Sequence, residues 1–188
     1  MRRTSVLGTL LVVALLVMGG VAFFSGDTKV GGGKKASAKP DTLVTLPAWD
    51  TGLPDLELPI PADYSTRPEK GPDFDVYFLE PESPSRATGF VYVGHSPNFL
   101  HAQLEPTGDV TEHGETIGGD SVRVYDFEVE GPDGSRFFRE AILTTLFANQ
   151  PDDKRLSELW VHIAVDAPTS AEADKLWAYV SKVHCRAN

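Results

Sequence analysis

The feature that most constrains this chain is a run of 23 residues, 4–26, that contains no charged side chain. Its centre, residues 10–18, is wholly apolar, and a helix as long as the whole run can cross about 30 Å of hydrocarbon. Arg2 and Arg3 precede the run, as basic residues precede the apolar region of an export signal. The sequence therefore predicts that residues 1–26 insert into a membrane.

Two fates of this segment agree with the sequence. Gly20, Val21 and Ala22 supply the small residues that a signal peptidase requires, so residues 1–26 fit a cleaved signal peptide. The apolar run is also longer than that of most signals, so it fits an uncleaved transmembrane helix equally well. Lysines follow the run, but a short basic N-terminus is the ordinary export arrangement. We expect residues 41–188 outside the cytoplasm, at the membrane or in a periplasmic space of the cell envelope.

Residues 27–40 predict a flexible linker, because Gly31 to Gly33 are followed by a lysine-rich stretch without a bulky apolar side chain. The remaining 148 residues, 41–188, are enough for a single soluble domain with its own core. Cys185 is the only cysteine among the 188 residues, so no disulfide can form within the sequence. Burial of apolar surface must therefore stabilise the domain.

The predicted domain is strongly acidic. Residues 41–188 hold 11 Lys and Arg against 26 Asp and Glu, a net charge of about −15. Such a surface repels phosphate backbones and anionic headgroups. We therefore expect no nucleic-acid partner, and contact with the membrane only through the N-terminal segment.

Apolar and polar residues alternate with a period of two over much of the domain, which predicts β-strands. The clearest pair is a hairpin of residues 123–130 and 137–147, joined at the turn Gly131-Pro132-Asp133-Gly134. Further strands are predicted at 74–79, 89–93 and 159–165, and the prolines of residues 41–62 permit short edge strands such as 56–60.

One helix is predicted at the end of the domain. Thr169 follows Pro168 and, with Glu172 three residues later, forms a capping box. Apolar residues then recur at helical spacing as far as His184. The predicted fold class is α+β, with an antiparallel sheet and packed helices.

The order of these features from residue 114 onwards resembles the PsbP/DcrB-like family of small exported domains. The matching stretches are 114–120, 122–129, 159–165 and 167–171. The resemblance implies an antiparallel sheet within an α/β/α sandwich, with the family's first strand pair at 56–61 and 75–79. Its members serve as photosystem accessory proteins, chaperone-like adaptors and nuclear-transport factors, and most are not enzymes. Here residues 97–106 are shorter, and residues 149–157 longer, than in such domains.

A strand that runs into Gly94-His95-Ser96 resembles the nucleophile elbow of an α/β-hydrolase. Two residues argue against that reading. Asn98 stands where the elbow needs a small residue, and Pro97 lacks the N–H that would serve an oxyanion. We therefore expect a turn here and no catalytic residue.

The candidate metal ligands are Glu112, His113 and Glu115, with His95 and His101 in the preceding segment. Neighbouring residues on a strand point to opposite faces, so at most two of the first three would converge. We expect a solvated acidic loop, no bound metal and no cofactor.

Two further groups contain side chains that can bind metals or react. Asp73, Asp75, Glu80 and Glu82 lack the spacing of a calcium loop and predict a wet acidic face. Cys185 is predicted at the C-terminal end of the last helix, where the dipole disfavours a thiolate. The sequence thus favours a non-enzymatic accessory domain that binds a protein partner. The alternative is a metal-binding or hydrolytic module that uses the region from His95 to Glu115.

Overall fold

The computed structural model describes residues 41–47, 54–95, 97–144, 146–147 and 159–186. The predicted membrane segment, 1–26, and the predicted linker, 27–40, lie outside these residues. In the described part of the chain, no helix is long and apolar enough to cross a membrane.

The described residues form two antiparallel sheets and one α-helix, which makes the domain a mostly antiparallel α+β structure. The larger sheet has seven strands in the order β3-β4-β5-β9-β8-β7-β6, and the smaller has the order β1-β2-β10. The elements are β1 Thr42–Leu46, β2 Leu56–Ile60, β3 Tyr64–Lys70, β4 Phe74–Pro81, β5 Thr88–Gly94, a 3-10 helix Leu100–Ala102, β6 Thr111–Ile117, β7 Asp120–Gly131, β8 Gly134–Leu143, β9 Trp160–Ala167, α1 Ser170–Val180 and β10 His184–Cys185.

The predicted central hairpin is confirmed as β7 and β8, which pair from Gly131↔Gly134 to Val124↔Ala141. The second strand is shorter than predicted, because β8 ends at Leu143 rather than at 147. A second hairpin, β6–β7, was not predicted from the sequence. Its turn is Gly118-Gly119, with φ of 62° and 93°, and two positive φ angles give the turn type that matches the twist of a hairpin.

The predicted strand at 56–60 is present as β2, but it lies at the centre of the small sheet rather than at an edge. β2 lies between β1 and β10, and β10 is only two residues long and pairs with Leu56 and Glu57. Pro59 pairs with Leu43 of β1 and lies beyond the end of β10. A proline is therefore tolerated in this strand, since one of its sides is open at that position.

The large sheet is covered on both faces. On the side that we call the helix face, α1 and the small sheet pack over residues such as Val91, Leu143 and Ile163. The opposite side, which we call the aromatic face, carries a second buried cluster built on Val76, Phe78, Phe90, Leu100, Phe127 and Ala164. Central strands buried on both faces explain why β4, β5 and β9 are apolar almost throughout.

The terminal helix begins as predicted, since the side chain of its N-cap Thr169 accepts a hydrogen bond from the backbone N–H of Glu172. It ends at Val180, earlier than predicted, and His184 and Cys185 belong to β10 instead. The placement of Cys185 at a helix terminus was therefore wrong. Its thiol is half-buried and donates to the backbone oxygen of Leu146 at 3.2 Å.

Candidate functional site

Glu140 is a fully buried carboxylate at the centre of the large sheet. It lies on β8, where its side chain points to the aromatic face between the apolar residues Phe138 and Ile142. The strand register places it in one row of residues that crosses the sheet: Arg67, Phe78, Phe90, Ala164, Glu140, Tyr125 and Glu112. Its relative exposure is 0%, so every charge-stabilising contact must come from the protein.

Four donors meet the two oxygens of Glu140. The backbone N–H groups of Leu100 and His101 donate at 2.7 and 2.9 Å, at the start of the 3-10 helix. Nδ1 of His101 lies at 2.8 Å and Nε2 of His162, on β9, at 2.7 Å. A carboxylate only accepts, so these two ring nitrogens carry the hydrogens. Glu140 therefore fastens residues 97–104, which we call the strap, across the aromatic face.

Aromatic rings close the site around the exposed side of His101. Its ring lies 4.6 Å from that of Tyr125 and 5.0 Å from that of Phe99, centroid to centroid. His162 is buried against the edge of Phe90 at 5.1 Å. His162 is thus a hydrogen-bonded residue of the sheet. This arrangement orients both imidazoles and anchors the strap.

Acid should weaken this anchor. Burial alone raises the pKa of the Glu140 carboxyl, but His162 and the N–H groups of His101 and Leu100 outweigh burial and hold the pKa below its ordinary value of 4.5. A carboxyl whose pKa is lower in the folded state stabilises the fold above the unfolded-state pKa, and this contribution is lost as the pH falls through the folded value. We expect the difference in unfolding free energy between the wild type and Glu140→Gln to shrink from about pH 5 to about pH 3.

Urea unfolding followed by tryptophan fluorescence at several pH values measures this difference. Comparing the two proteins cancels the opposite effect of other buried carboxyls, such as Asp75 and Asp166, whose pKa values burial raises. A difference that stays constant, or grows, on acidification would show that Glu140 is not stabilised as a carboxylate.

The structure separates the three predicted candidate metal ligands. They lie on β6 rather than in a loop, which corrects that expectation. Glu112 faces Arg123 at 3.4 Å on one side of the strand. His113 and Glu115 lie on the other side, 3.0 Å apart, and Glu115 also accepts from Nε1 of Trp177 at 2.9 Å. Among the described residues, no group of three His, Cys, Asp or Glu side chains is placed to hold a metal ion.

The acidic set on β4 does not gather into one site either. Asp73 and Glu82 flank opposite ends of an eight-residue strand, which is roughly 25 Å long. Glu80 pairs with Arg67. Asp75 is buried rather than wet, which corrects its expected place on a solvated face. Its Oδ2 accepts from the Tyr77 hydroxyl at 3.2 Å, and within the described structure Oδ1 has no hydrogen-bond partner.

The hydrolase-like segment is only partly described. His95 is exposed, and its backbone oxygen accepts from the Tyr92 hydroxyl at 3.0 Å. Ser96 lies outside the described residues, so the predicted turn at this position stays a prediction. His101, from the same region, is held by Glu140 and lies on the strap.

The outer edge of β6 is an open edge of the large sheet in the described residues, since β6 ends the strand order there. In a hairpin closed by a two-residue turn, the residues that flank the turn exchange hydrogen bonds, and the pattern then alternates. Ile117 and Asp120 flank this turn. The N–H and C=O groups of Glu112, Gly114 and Thr116 therefore point outward, away from β7.

A pocket of about 210 Å³ opens beside the first residue of β6, where the chain diverges from β7. Thr107 holds the diverging chain, because its N–H donates to the backbone oxygen of Glu128 and its hydroxyl accepts from the N–H of Glu130. The residues that line the pocket are mostly polar or acidic: Thr107, Asp109, Thr111, Asp126, Phe127, Glu128 and Phe137. The polar edge of β6 thus continues into an acidic recess.

No protein-family model matches this chain, and no curated protein matches it. In the described residues, the fold and the site define an antiparallel α+β domain with a covered aromatic face and an open, acidic strand edge.

Proposed function

We propose that this protein is a non-enzymatic accessory domain of the cell envelope that binds a protein partner, and that residues 1–26 carry or hold it at the membrane. The observation that supports this proposal is the edge of β6, seven residues long, which pairs with no further strand in the part of the chain that the structure describes. An exposed strand edge offers unpaired N–H and C=O groups to an extended segment of another protein, which adds as a further strand. The partner segment would lie beside β6.

The other end of the same sheet is less suited to this role. The edge strand β3 contains Pro68, which has no N–H to donate, and carries Arg67, Glu69 and Lys70 as well. Proline and charged side chains are the means by which proteins prevent pairing at an edge. The strand β6 contains no proline, and Gly114 leaves its middle without a side chain. These differences favour β6 as the binding edge.

The predicted resemblance to PsbP/DcrB-like domains supports the same kind of role, since most members of that family are not enzymes. We propose the family's α/β/α arrangement for this domain as well, although the described residues hold one α-helix, on the helix face. The alternative, a metal-binding or hydrolytic module in the region from His95 to Glu115, has less support. Both oxygens of Glu115 already accept hydrogen bonds, and His101 is held by Glu140.

The proposal predicts that Gly114→Pro abolishes partner binding without unfolding the domain. Proline removes one outward N–H, and a Cβ atom added at this position meets no atom within 4 Å. A photo-reactive amino acid in place of Thr116 should cross-link a protein partner when cells produce the full-length protein with Gly114 unchanged. We expect the Gly114→Pro form to lose at least about nine-tenths of that product, because proline removes one backbone hydrogen bond and disturbs the strand geometry around it.

Gly114→Val is the matched control, because it adds a side chain at the same position but keeps the N–H and favours a strand. It should retain the cross-link. A second reactive residue at Ser65, on β3, reports on non-specific contacts. Equal cross-linking in the proline and valine variants, with both folded by circular dichroism, would overturn the proposal.

A further inference from the structure

We infer that the segment added along β6 is a lysine- or arginine-rich extended stretch of another protein. This inference rests on the proposed function and names the chemistry of its partner. It comes from the charge of the edge and the register of the hairpin, and not from any single acidic residue.

The charge along this edge has one sign. Residues 105–120, which lead into β6, form it and turn out of it, contain five carboxylates and no Lys or Arg. Of the cations near the strand, Arg123 is 3.4 Å from Glu112, and Arg139 is bound to Asp126 and Asp174. At the opposite edge, β3 carries Arg67 and Lys70 beside its acidic residues. The negative potential is therefore concentrated where the backbone is open.

The side chains of an added strand would alternate between the two faces of the sheet. On the aromatic face they would lie next to Glu112, and on the helix face next to Glu115 and His113. Cross-strand neighbours lie about 5 Å apart, so lysine or arginine stems reach both carboxylates. At the start of β6, the recess with Asp109 and Glu128 extends this acidic line. Positive side chains on both faces thus find complementary charge.

A second copy of this chain is the competing occupant, and the charges disfavour it. A second β6 strand has no Lys or Arg to pair with the carboxylates of Glu112 and Glu115, whereas a basic segment can pair with both. The whole domain is also acidic, at about −15, which opposes its self-association.

The test uses the full 188-residue chain in a neutral detergent and two blocked octapeptides as probes. One peptide alternates lysine with threonine and valine, and the other has glutamate at each lysine position. We expect the lysine peptide to bind at least about tenfold more tightly at low salt, with the difference falling below about threefold at 0.5 M salt as the charges are screened. Gly114→Pro should weaken the lysine peptide about tenfold and Gly114→Val should not.

Single charge removals complete the test. Glu112→Gln should weaken the lysine peptide about threefold, whereas Glu69→Gln on β3 should leave its affinity unchanged. Equal affinity for the two peptides, no measurable binding of either, or lysine-peptide binding that ignores Gly114→Pro would each overturn the inference. A dimer of the chain that Gly114→Pro dissociates would overturn it too, in favour of a second copy. If only the peptide results fail while Gly114→Pro still removes the cellular cross-link, the binding edge stands and only the chemistry of the partner is wrong.

Discussion

Replacing Glu140 with leucine is expected to lower the unfolding free energy by about 3–5 kcal/mol, although leucine is apolar and enters an apolar neighbourhood. The carboxylate is fully buried and accepts from two backbone N–H groups and two imidazoles. Leucine satisfies none of these donors, and a buried donor without a partner costs more than the average hydrogen bond contributes. Urea unfolding at neutral pH, monitored by tryptophan fluorescence, measures the loss.

Glu112→Leu is the matched control for this prediction. Glu112 lies in the same cross-sheet row and on the same face, but it is exposed and its ion pair with Arg123 is open to solvent. Such a change is expected to alter stability by no more than about 0.5–1 kcal/mol. If the two substitutions cost the same, the buried hydrogen bonds of Glu140 do not stabilise the fold.

Glu140→Leu should also act locally, because the carboxylate is what fastens the strap. The amide hydrogens of Leu100 and His101 donate directly to it. Hydrogen exchange at these two amides should therefore rise more than exchange at residues in the middle of β9, which depend on the sheet ladder. Uniform acceleration across the domain would indicate global destabilisation without release of the strap.

Alternation of apolar and polar residues was enough to predict the strands that bury a face. It did not predict a strand whose formation does not depend on burial. The strands β4, β5 and β9 were predicted because they are apolar, and their side chains are buried on both faces of the sheet. The sequence favours an acidic loop where β6 lies, and in the structure six of the seven residues of β6 are exposed or half-buried, with only Ile117 fully buried. β6 is a strand because it pairs with β7 across the Gly118-Gly119 turn. This pairing is a tertiary contact, and the period of the apolar pattern does not indicate it.

The Glu140 cluster could not be assembled from the sequence, because its members are far apart in the chain. Leu100 and His101 lie 40 and 39 positions from Glu140, and His162 lies 22 positions away. One signal was present, since Glu140 stands between Phe138 and Ile142 on a strand whose same-face neighbours are apolar. A charged residue in that position is rarely buried unless it is paired. The strand order decides which residues provide the partners, and periodicity alone does not give that order.

The second large effect is expected at Trp177, which joins α1 to the strand that we propose as the binding edge. Its ring is 4% exposed within the core, and its Nε1 donates to Glu115 on β6 at 2.9 Å. The guanidinium of Arg139 lies 5.7 Å from the ring centroid. Trp177→Ala removes a buried aromatic ring between the helix and the sheet, and we expect a loss of about 3–5 kcal/mol in unfolding free energy.

Trp177→Phe separates packing from the hydrogen bond, because phenylalanine keeps an aromatic ring in the core but cannot donate to Glu115. It should cost about 1–2 kcal/mol, well below the alanine variant, from the lost donor and the smaller ring. Urea unfolding followed by far-ultraviolet circular dichroism compares the two. Because Glu115 is on β6, the phenylalanine variant should also show faster hydrogen exchange at His113 and Glu115, whose amides face β7, than at β3. If Trp177→Phe costs as much as Trp177→Ala, the bond to Glu115 rather than ring packing couples α1 to the open edge.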